Sequence, residues 1–346
     1  MAQLRFAARS AVSTLLALLL LVSASFVSNA QTQRRTGQTS VPREQPALYA
    51  RPRLVLLIAV DQFRADYLER FGDLFSRNGL GRLMREGAMW TDANFDHMPT
   101  ETAPGHATLL TGAWPSESGI IGNQWFEREA GKNVENTLDE SVKILGGAGD
   151  ERGKSPRRLL ASTLGDELRL RSNGRAKVIG ISAKDRGAIM PAGRNASAAY
   201  WFSATTGRLI SSTYYFNQLP AWVQQFNETN PSDKFFNAQW ERLLKDAGEY
   251  ERRAGPDAPE WENLLGERER QRERERGLDT AFPHLIKGKE SKPGADFYDV
   301  LTASPFSNDL LVEFAKLAIT NEALGADADT DVLTVGFSAN DYVGHR

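Results

Sequence analysis

The sequence contains no cysteine. That absence excludes a disulfide scaffold, a cysteine nucleophile, zinc held by thiolates, and any enzyme that makes its nucleophile from cysteine. Histidine is scarce, with four in 346 residues, so any metal site must lean on carboxylates. Excess charge of one sign is missing too. Forty-two Lys and Arg face 44 Asp and Glu, a net of −2, which offers no bulk basic surface to nucleic acid. Apolar residues make up 41% and charged residues 25%, near the globular average, so the chain can bury a core and is neither disordered nor collagen-like. Repeated long apolar runs are absent, which excludes a polytopic membrane protein. The length suits about two average domains or one large α/β domain.

The N-terminus is distinctive. Arg5 and Arg9 precede an apolar run from about Val12 to Val22, and Ser28-Asn29-Ala30 offers a small-x-small cleavage site. The run is shorter than the roughly 20 residues of a membrane span, so residues 1–30 read as a cleaved signal rather than a retained anchor. No cysteine follows that could carry a lipid. Residues 31–50 read as a polar linker. Removing residues 1–30, which hold two arginines and no acid, leaves a net charge of −4. The expected destination is a periplasm or the cell exterior.

Residues 51–346 then show strand–helix alternation. Arg53–Val60, Ala176–Ser182 and Asp331–Ser338 are apolar runs of the kind buried on both faces of a parallel sheet. Ser155-Pro156 resembles an N-cap with proline at the first helical position; Leu160, Leu164 and Leu168 continue an apolar stripe, and Asn173-Gly174 stops it. A second helix is predicted from about Ser307 to Leu324, closed by Gly325. The fold class is therefore α/β, a mostly parallel central sheet flanked by helices. Residues from about 197 to 300, rich in aromatics, Asn and Pro, read as an insertion or cap. Within them, Glu267–Arg276 alternates Glu and Arg, which predicts a solvated, salt-bridged run.

In open parallel sheets, ligands sit beyond the carboxyl ends of the strands. The three runs place Asp61, then Lys184 and Arg186, then Asp341 and His345 at that end. Carboxylates and imidazole suit Zn²⁺ or a similar ion, and Lys and Arg suit phosphoryl oxygens. Thr102 precedes Ala103-Pro104 and an apolar stretch, so it is predicted as a helix N-cap with its hydroxyl at the positive helix end. A hydroxyl there serves either as a cap alone or as a metal-activated nucleophile. His106, one turn on, reads as a supporting or packing side chain rather than a ligand. His97 and His284 have no ligand-like neighbours.

Asp61 after a buried strand, Thr102 in Thr-Ala-Pro-Gly-His, Gly122-Asn123-Gln124-Trp125, Lys184-Asp185-Arg186 and Asp341-Tyr342-Val343-Gly344-His345 occur in that order. Together they resemble the alkaline phosphatase superfamily, and within it the secreted bacterial zinc-dependent phosphomonoesterases with a threonine nucleophile. The similarity runs from about Arg51 to the end. It implies that Thr102 attacks phosphorus and forms a phospho-threonine. It implies Asp61 and Thr102 in one zinc site and Asp341 and His345 in the other. Asn123, Lys184 and Arg186 would contact phosphoryl oxygens of small phosphate esters. The cation pair Lys184 and Arg186 favours a dianionic monoester over a diester. Sulfatases, which need Cys or Ser in a Cys/Ser-x-Pro-x-Arg motif, do not match at Thr102.

The family pattern continues past His345 with an Asp-His pair and a later His that complete the two metal sites. Here the sequence stops at Arg346. It therefore reads as the N-terminal part of a longer enzyme, inactive and poorly folded alone. Two other readings are carried forward: a phosphodiesterase or nucleotide pyrophosphatase of the same superfamily, and a periplasmic anion-binding protein without turnover.

Overall fold

The computed structural model describes residues 51–257, 259, 271, 275–276, 278 and 281–345. The signal and linker expected over 1–50 and most of the Glu/Arg run lie outside these residues. Among the described residues no helix is long and apolar enough to cross a membrane.

Ten strands are described: β1 Leu54–Val60, β2 Gln124–Glu127, β3 Lys132–Glu135, β4 Ile144–Leu145, β5 Val178–Ser182, β6 Ala198–Ser203, β7 Arg208–Ser212, β8 Ala238–Trp240, β9 His284–Ile286 and β10 Asp331–Phe337. Six form the central sheet in the order β1-β10-β5-β6-β7-β4. The first four pair in parallel, and β7 pairs antiparallel with both β6 and β4. The three apolar runs read from the sequence are thus three adjacent parallel strands, with β10 between β1 and β5.

Alternation along each strand divides the core into two layers. Ile179, Ile181, Leu333, Val335, Tyr200 and Phe202 face the long Pro305–Asn321 helix, which contributes Leu310, Leu311 and Phe314. The opposite face packs Ala199, Trp201 and Ile210 against the Thr102–Thr111 and Asp185–Ala192 helices, through Ala103, Ala107, Ala188 and Ile189. The Asp185–Ala192 helix lies so close to β5 that a Cβ on Gly180 would stand 2.0 Å from the Ala188 carbonyl oxygen. Glycine is required there by the approach of two backbones.

Four expectations are corrected. Strand β1 is not buried on both faces: Leu56 and Ile58 are 48% and 52% exposed, because no described element covers that face of the sheet at β1. The helix expected from Ser155-Pro156 begins at Leu164, where Thr163 accepts from the Asp166 N–H and Asp166 accepts from the Thr163 N–H, a reciprocal cap. Ser155 instead donates its hydroxyl to Asp139 in a turn. Residues 198–212 are not an insertion but β6 and β7, central strands of the sheet. Arg276 is not solvated: its guanidinium is buried against Asp296, 2.9 Å away, and Asp299. The second predicted helix agrees closely, running Pro305–Asn321 with proline at its first turn and Gly325 beyond it in the left-handed region.

Candidate active site

The carboxyl ends of β1, β10 and β5 lie side by side because β1 and β5 both pair with β10. Asp61 follows β1 directly, and its N–H donates to Phe337 O at the end of β10, 2.9 Å away. Beyond β10 the chain turns at Ser338 into the short Ala339–Gly344 helix, which carries Asp341 on its buried side. Beyond β5, Lys184 is the N-cap of the Asp185–Ala192 helix. The Thr102–Thr111 helix packs across this end and stops at Gly112, whose φ of 63° makes the left-handed C-cap. Thr102 is its first residue and Glu101 its N-cap, one position earlier than expected. The Thr102 hydroxyl therefore makes no cap bond and remains available for chemistry.

These elements converge on one point. The Lys184 ammonium lies 3.3 Å from Thr102 Oγ1, 3.3 Å from Asp61 Oδ2, and in a direct ion pair with Asp341 Oδ2. The side chains of Lys184, Asp61 and Asp341 are all largely buried. Asp61 is further fixed by His106 Nε2 at 2.6 Å on Oδ1 and by the Ser338 hydroxyl at 2.9 Å on Oδ2. Burial alone would raise the Asp61 pKa. The hydrogen bond and charge of His106, the Lys184 charge and the Ser338 hydroxyl outweigh it and bring the carboxyl down to about 2. Asp61 is thus held as a carboxylate. Tyr342 packs its ring 5.0 Å from the Lys184 ammonium, and burial pushes its phenol up to about 12.

Asn123 closes the Thr102 side. Its carboxamide oxygen accepts the Ala103 N–H at 2.9 Å, so its NH₂ is the group left to donate elsewhere. Pro104 has no N–H, and the Gly105 N–H already bonds the Glu101 carbonyl at 3.1 Å. Asn123 thereby takes up the helix-end donor next to Thr102.

Two predicted site residues stand apart from this cluster. His345 lies at the rim with its ring 69% exposed, 3.4 Å from Asp341 Oδ1. Arg186 reaches only Asp185, 3.7 Å away, and its buried Nε has no hydrogen-bond partner among the described residues. A groove of about 540 Å³ lined by Trp125, Arg158 and Leu160 contains none of these groups. Sequence reasoning missed Ser338, Glu101 and Asp185. Ser338 closes the third apolar run but, like the other two, carried no sign of the contacts it would make.

Asp61, Thr102 and Asp341 surround a buried ammonium, so the geometry is that of a cation pocket. Two carboxylates, a hydroxyl and the nearby imidazole of His345 are donors that zinc accepts. They fit part of a two-ion site. Among the described residues no group of three or more His, Asp or Glu is arranged to hold a metal by itself.

The sequence model of the family described as type I phosphodiesterase/nucleotide pyrophosphatase matches residues 55–346. The chain is 40% identical over 322 residues to alkaline phosphatase PhoV of Synechococcus elongatus, covering 93% of this chain and 56% of PhoV. It is 39% identical over 299 residues to alkaline phosphatase PafA of Elizabethkingia meningoseptica, covering 86% and 52% respectively. The crystal structure of wild-type PafA matches with a TM-score of 0.75 at 38% identity, over 85% of this chain and 54% of that one. The chain spans about half the length of the curated relatives it matches. With its parallel sheet and strand-end cluster, the chain belongs to the type I phosphodiesterase/nucleotide pyrophosphatase family of the alkaline phosphatase superfamily.

Proposed function

We propose that this chain is part of a secreted, zinc-dependent alkaline phosphatase that hydrolyses small phosphate monoesters through a phospho-threonine. The observation that carries the proposal is the Thr102 hydroxyl, uncommitted to capping at a helix N-terminus, 3.3 Å from a Lys184 ammonium that also contacts the carboxylates of Asp61 and Asp341. The similarity to PhoV and PafA supports the same reading.

Thr102 Oγ1 forms the bond to phosphorus as the bond from phosphorus to the leaving oxygen breaks, and water later cleaves the phospho-threonine. Lys184 and the Asn123 amide stabilise the oxygens on which charge accumulates. Arg186, two residues from Lys184, supplies the second cation that a dianionic monoester rewards. Zinc held by Asp61 and Thr102, and by Asp341 and His345, would lower the pKa of the attacking oxygen and offset charge. His106 and Ser338 fix the orientation of Asp61, a role that partner groups of metal ligands commonly fill. Residues 1–30 are assigned a signal and 31–50 a linker, and the described part of residues 213–300 a cap over the sheet.

The test is acid quench of the protein during turnover of phenyl phosphate, followed by peptide mass spectrometry. Phosphate on the Thr102 peptide, absent in Thr102→Ala, supports the reading. Turnover without label on Thr102 sinks it. The family match favours a second reading, hydrolysis of diesters. Comparison of phenyl phosphate with diphenyl phosphate separates the two: Arg186→Ala should erode a monoester preference and leave a diester preference untouched.

A further inference from the structure

Asn123 and the Lys184-Asp185-Arg186 turn are some 60 positions apart in sequence, yet both are fastened to the same three residues. Glu135 ends β3, and Asn136 and Thr137 follow it in a turn in which the Leu138 N–H donates to Glu135 O at 3.3 Å. Asn136, which is buried, donates its Nδ2 to Asn123 O at 2.7 Å and its N–H to the same oxygen at 3.2 Å. Thr137, 1% exposed, donates its hydroxyl to Asp185 Oδ2 at 2.7 Å. Glu135 Oε2 accepts from Lys154 Nζ at 2.7 Å, and Lys154 also reaches Asp185 Oδ2 at 3.0 Å. The other oxygen of Asp185 accepts the Arg186 N–H at 2.7 Å. The segment is itself anchored, since Thr137 O accepts the Ser155 N–H at 2.9 Å.

Asp185 sits between the two cations and is not aimed at the Thr102 cluster. Its contacts all run backward, to Thr137 and Lys154, or to its own neighbour. Burial would raise its pKa, but Lys154 and Arg186, with the hydrogen bonds from Thr137 and Lys154, hold it below the usual carboxylate range. It is a charged fastening for the turn.

We propose that Glu135-Asn136-Thr137 is a single positioning brace that sets Asn123 and the Lys184–Arg186 turn at a fixed separation, and so sets the width of the phosphoryl-oxygen site. The proposal rests on the reading that Asn123, Lys184 and Arg186 contact those oxygens. Contacts of this kind lose effect steeply when misplaced, by up to about a hundredfold per ångström. Asn136, Thr137, Asp185 and Lys154 act through other residues and touch no substrate.

The experiment uses the full chain and needs no turnover. Hydrogen exchange by mass spectrometry is followed in peptides covering 122–126 and 184–190, with β8 (Ala238–Trp240) as a control. Thr137→Val removes the hydroxyl at constant shape. It should speed exchange in 184–190 and also in 122–126, which Thr137 does not touch, while the control stays unchanged. Thr137→Ser, which keeps the hydroxyl, should restore both. Acceleration confined to 184–190, or in neither peptide, overturns the brace. If Thr137→Val does not fold, Lys154→Gln removes the other partner of the same carboxylate and is read in the same way.

Inorganic phosphate binding by calorimetry is the second readout. Thr137→Val should weaken it about tenfold or more, with Thr137→Ser near wild type. Coupled exchange with a phosphate affinity indifferent to Arg186→Ala would keep the brace and sink the functional reading. An affinity that falls in Arg186→Ala but not in Thr137→Val would sink the brace and keep the reading.

Discussion

Lys184→Met removes one positive charge from between two buried carboxylates. At 3.3 Å and an effective dielectric of about 20, the attraction between Lys184 and Asp61 amounts to about 5 kcal/mol. The Asp341 contact is closer still. The variant does not lose the whole of this, because the carboxylates can take up a proton or water. Breaking a buried pair by deleting one partner typically costs about 3–5 kcal/mol, and that is the expected loss here. The assay is urea unfolding in chelator at neutral pH, read by the fluorescence of the seven tryptophans. Excess Zn²⁺ should then stabilise the variant more than the wild type, because the ion enters a negative pocket with no ammonium to displace. A ligand at about 100 times its dissociation constant stabilises by about 2.7 kcal/mol. An unfolding free energy within about 0.5 kcal/mol of wild type, the range of neutral surface changes, would refute the reasoning. The two carboxylates would then not be facing the lysine in solution.

Three further outcomes follow from the packing. Gly180→Ala should lower the urea midpoint by about 1–3 kcal/mol equivalent, since its Cβ would press on the Ala188 carbonyl oxygen; an unchanged midpoint would mean the helix rides higher on β5. Thr163→Ala should cost about 1–2 kcal/mol by the same assay, as it deletes a buried cap that also orients Asp166, while an effect near zero would place the helix start elsewhere. The Lys154–Asp185 pair has a defined pH window. Asp185 is depressed, so its stabilisation is present above the ordinary value of 3.8 and fades as pH falls through its folded value. Lys154 is raised by Asp185 and Glu135 against the opposing effect of burial, so its share is present below 10.5 and fades as pH rises through its folded value. Melting temperatures of wild type and Lys154→Met should differ most between those limits and converge in acid; a difference growing in acid would contradict the pairing.

Much of the frame was legible in sequence because it rests on local patterns. Continuous apolar runs marked β1, β5 and β10, and the polar residue after each run marked the ligand end of the sheet. Proline at the first turn and Gly325 after the last marked the Pro305–Asn321 helix. What failed was what depends on distant partners. Ser155-Pro156 has the composition of a helix start, but Asp139 takes the Ser155 hydroxyl and the cap falls to Thr163. Ala-Ala-Tyr-Trp-Phe-Ser looked like part of a cap because its bulk is aromatic, yet it is fully buried as β6. The solvent-facing side of β1 could not be told from a buried one, since the residues on both sides are aliphatic. In the site, Asp61, Thr102, Asn123, Lys184 and Asp341 were each marked by a motif. The supporting contacts of Asn136, Thr137 and Ser338 were not, because a hydroxyl or amide in a loop gives no sign of what it will meet.

The placement of β10 between β1 and β5 has a consequence for the order in which the molecule can be made. Ser338 and Asp61 share a hydrogen bond across 277 positions. β1 leaves the ribosome early and has no described neighbour in the central sheet until β10 arrives. Until then Asp61 has neither Ser338 nor Asn340 beside it. Closing so long a loop is entropically costly and slow, and the contacts that reward it come only once β10 has been made. A nascent chain released before residue 331 would hold Thr102, Asn123 and Lys184 but no cation pocket. The Lys184 cluster can thus assemble only after β10 and the helix that follows it have been made, and β1 waits until then without its sheet partner.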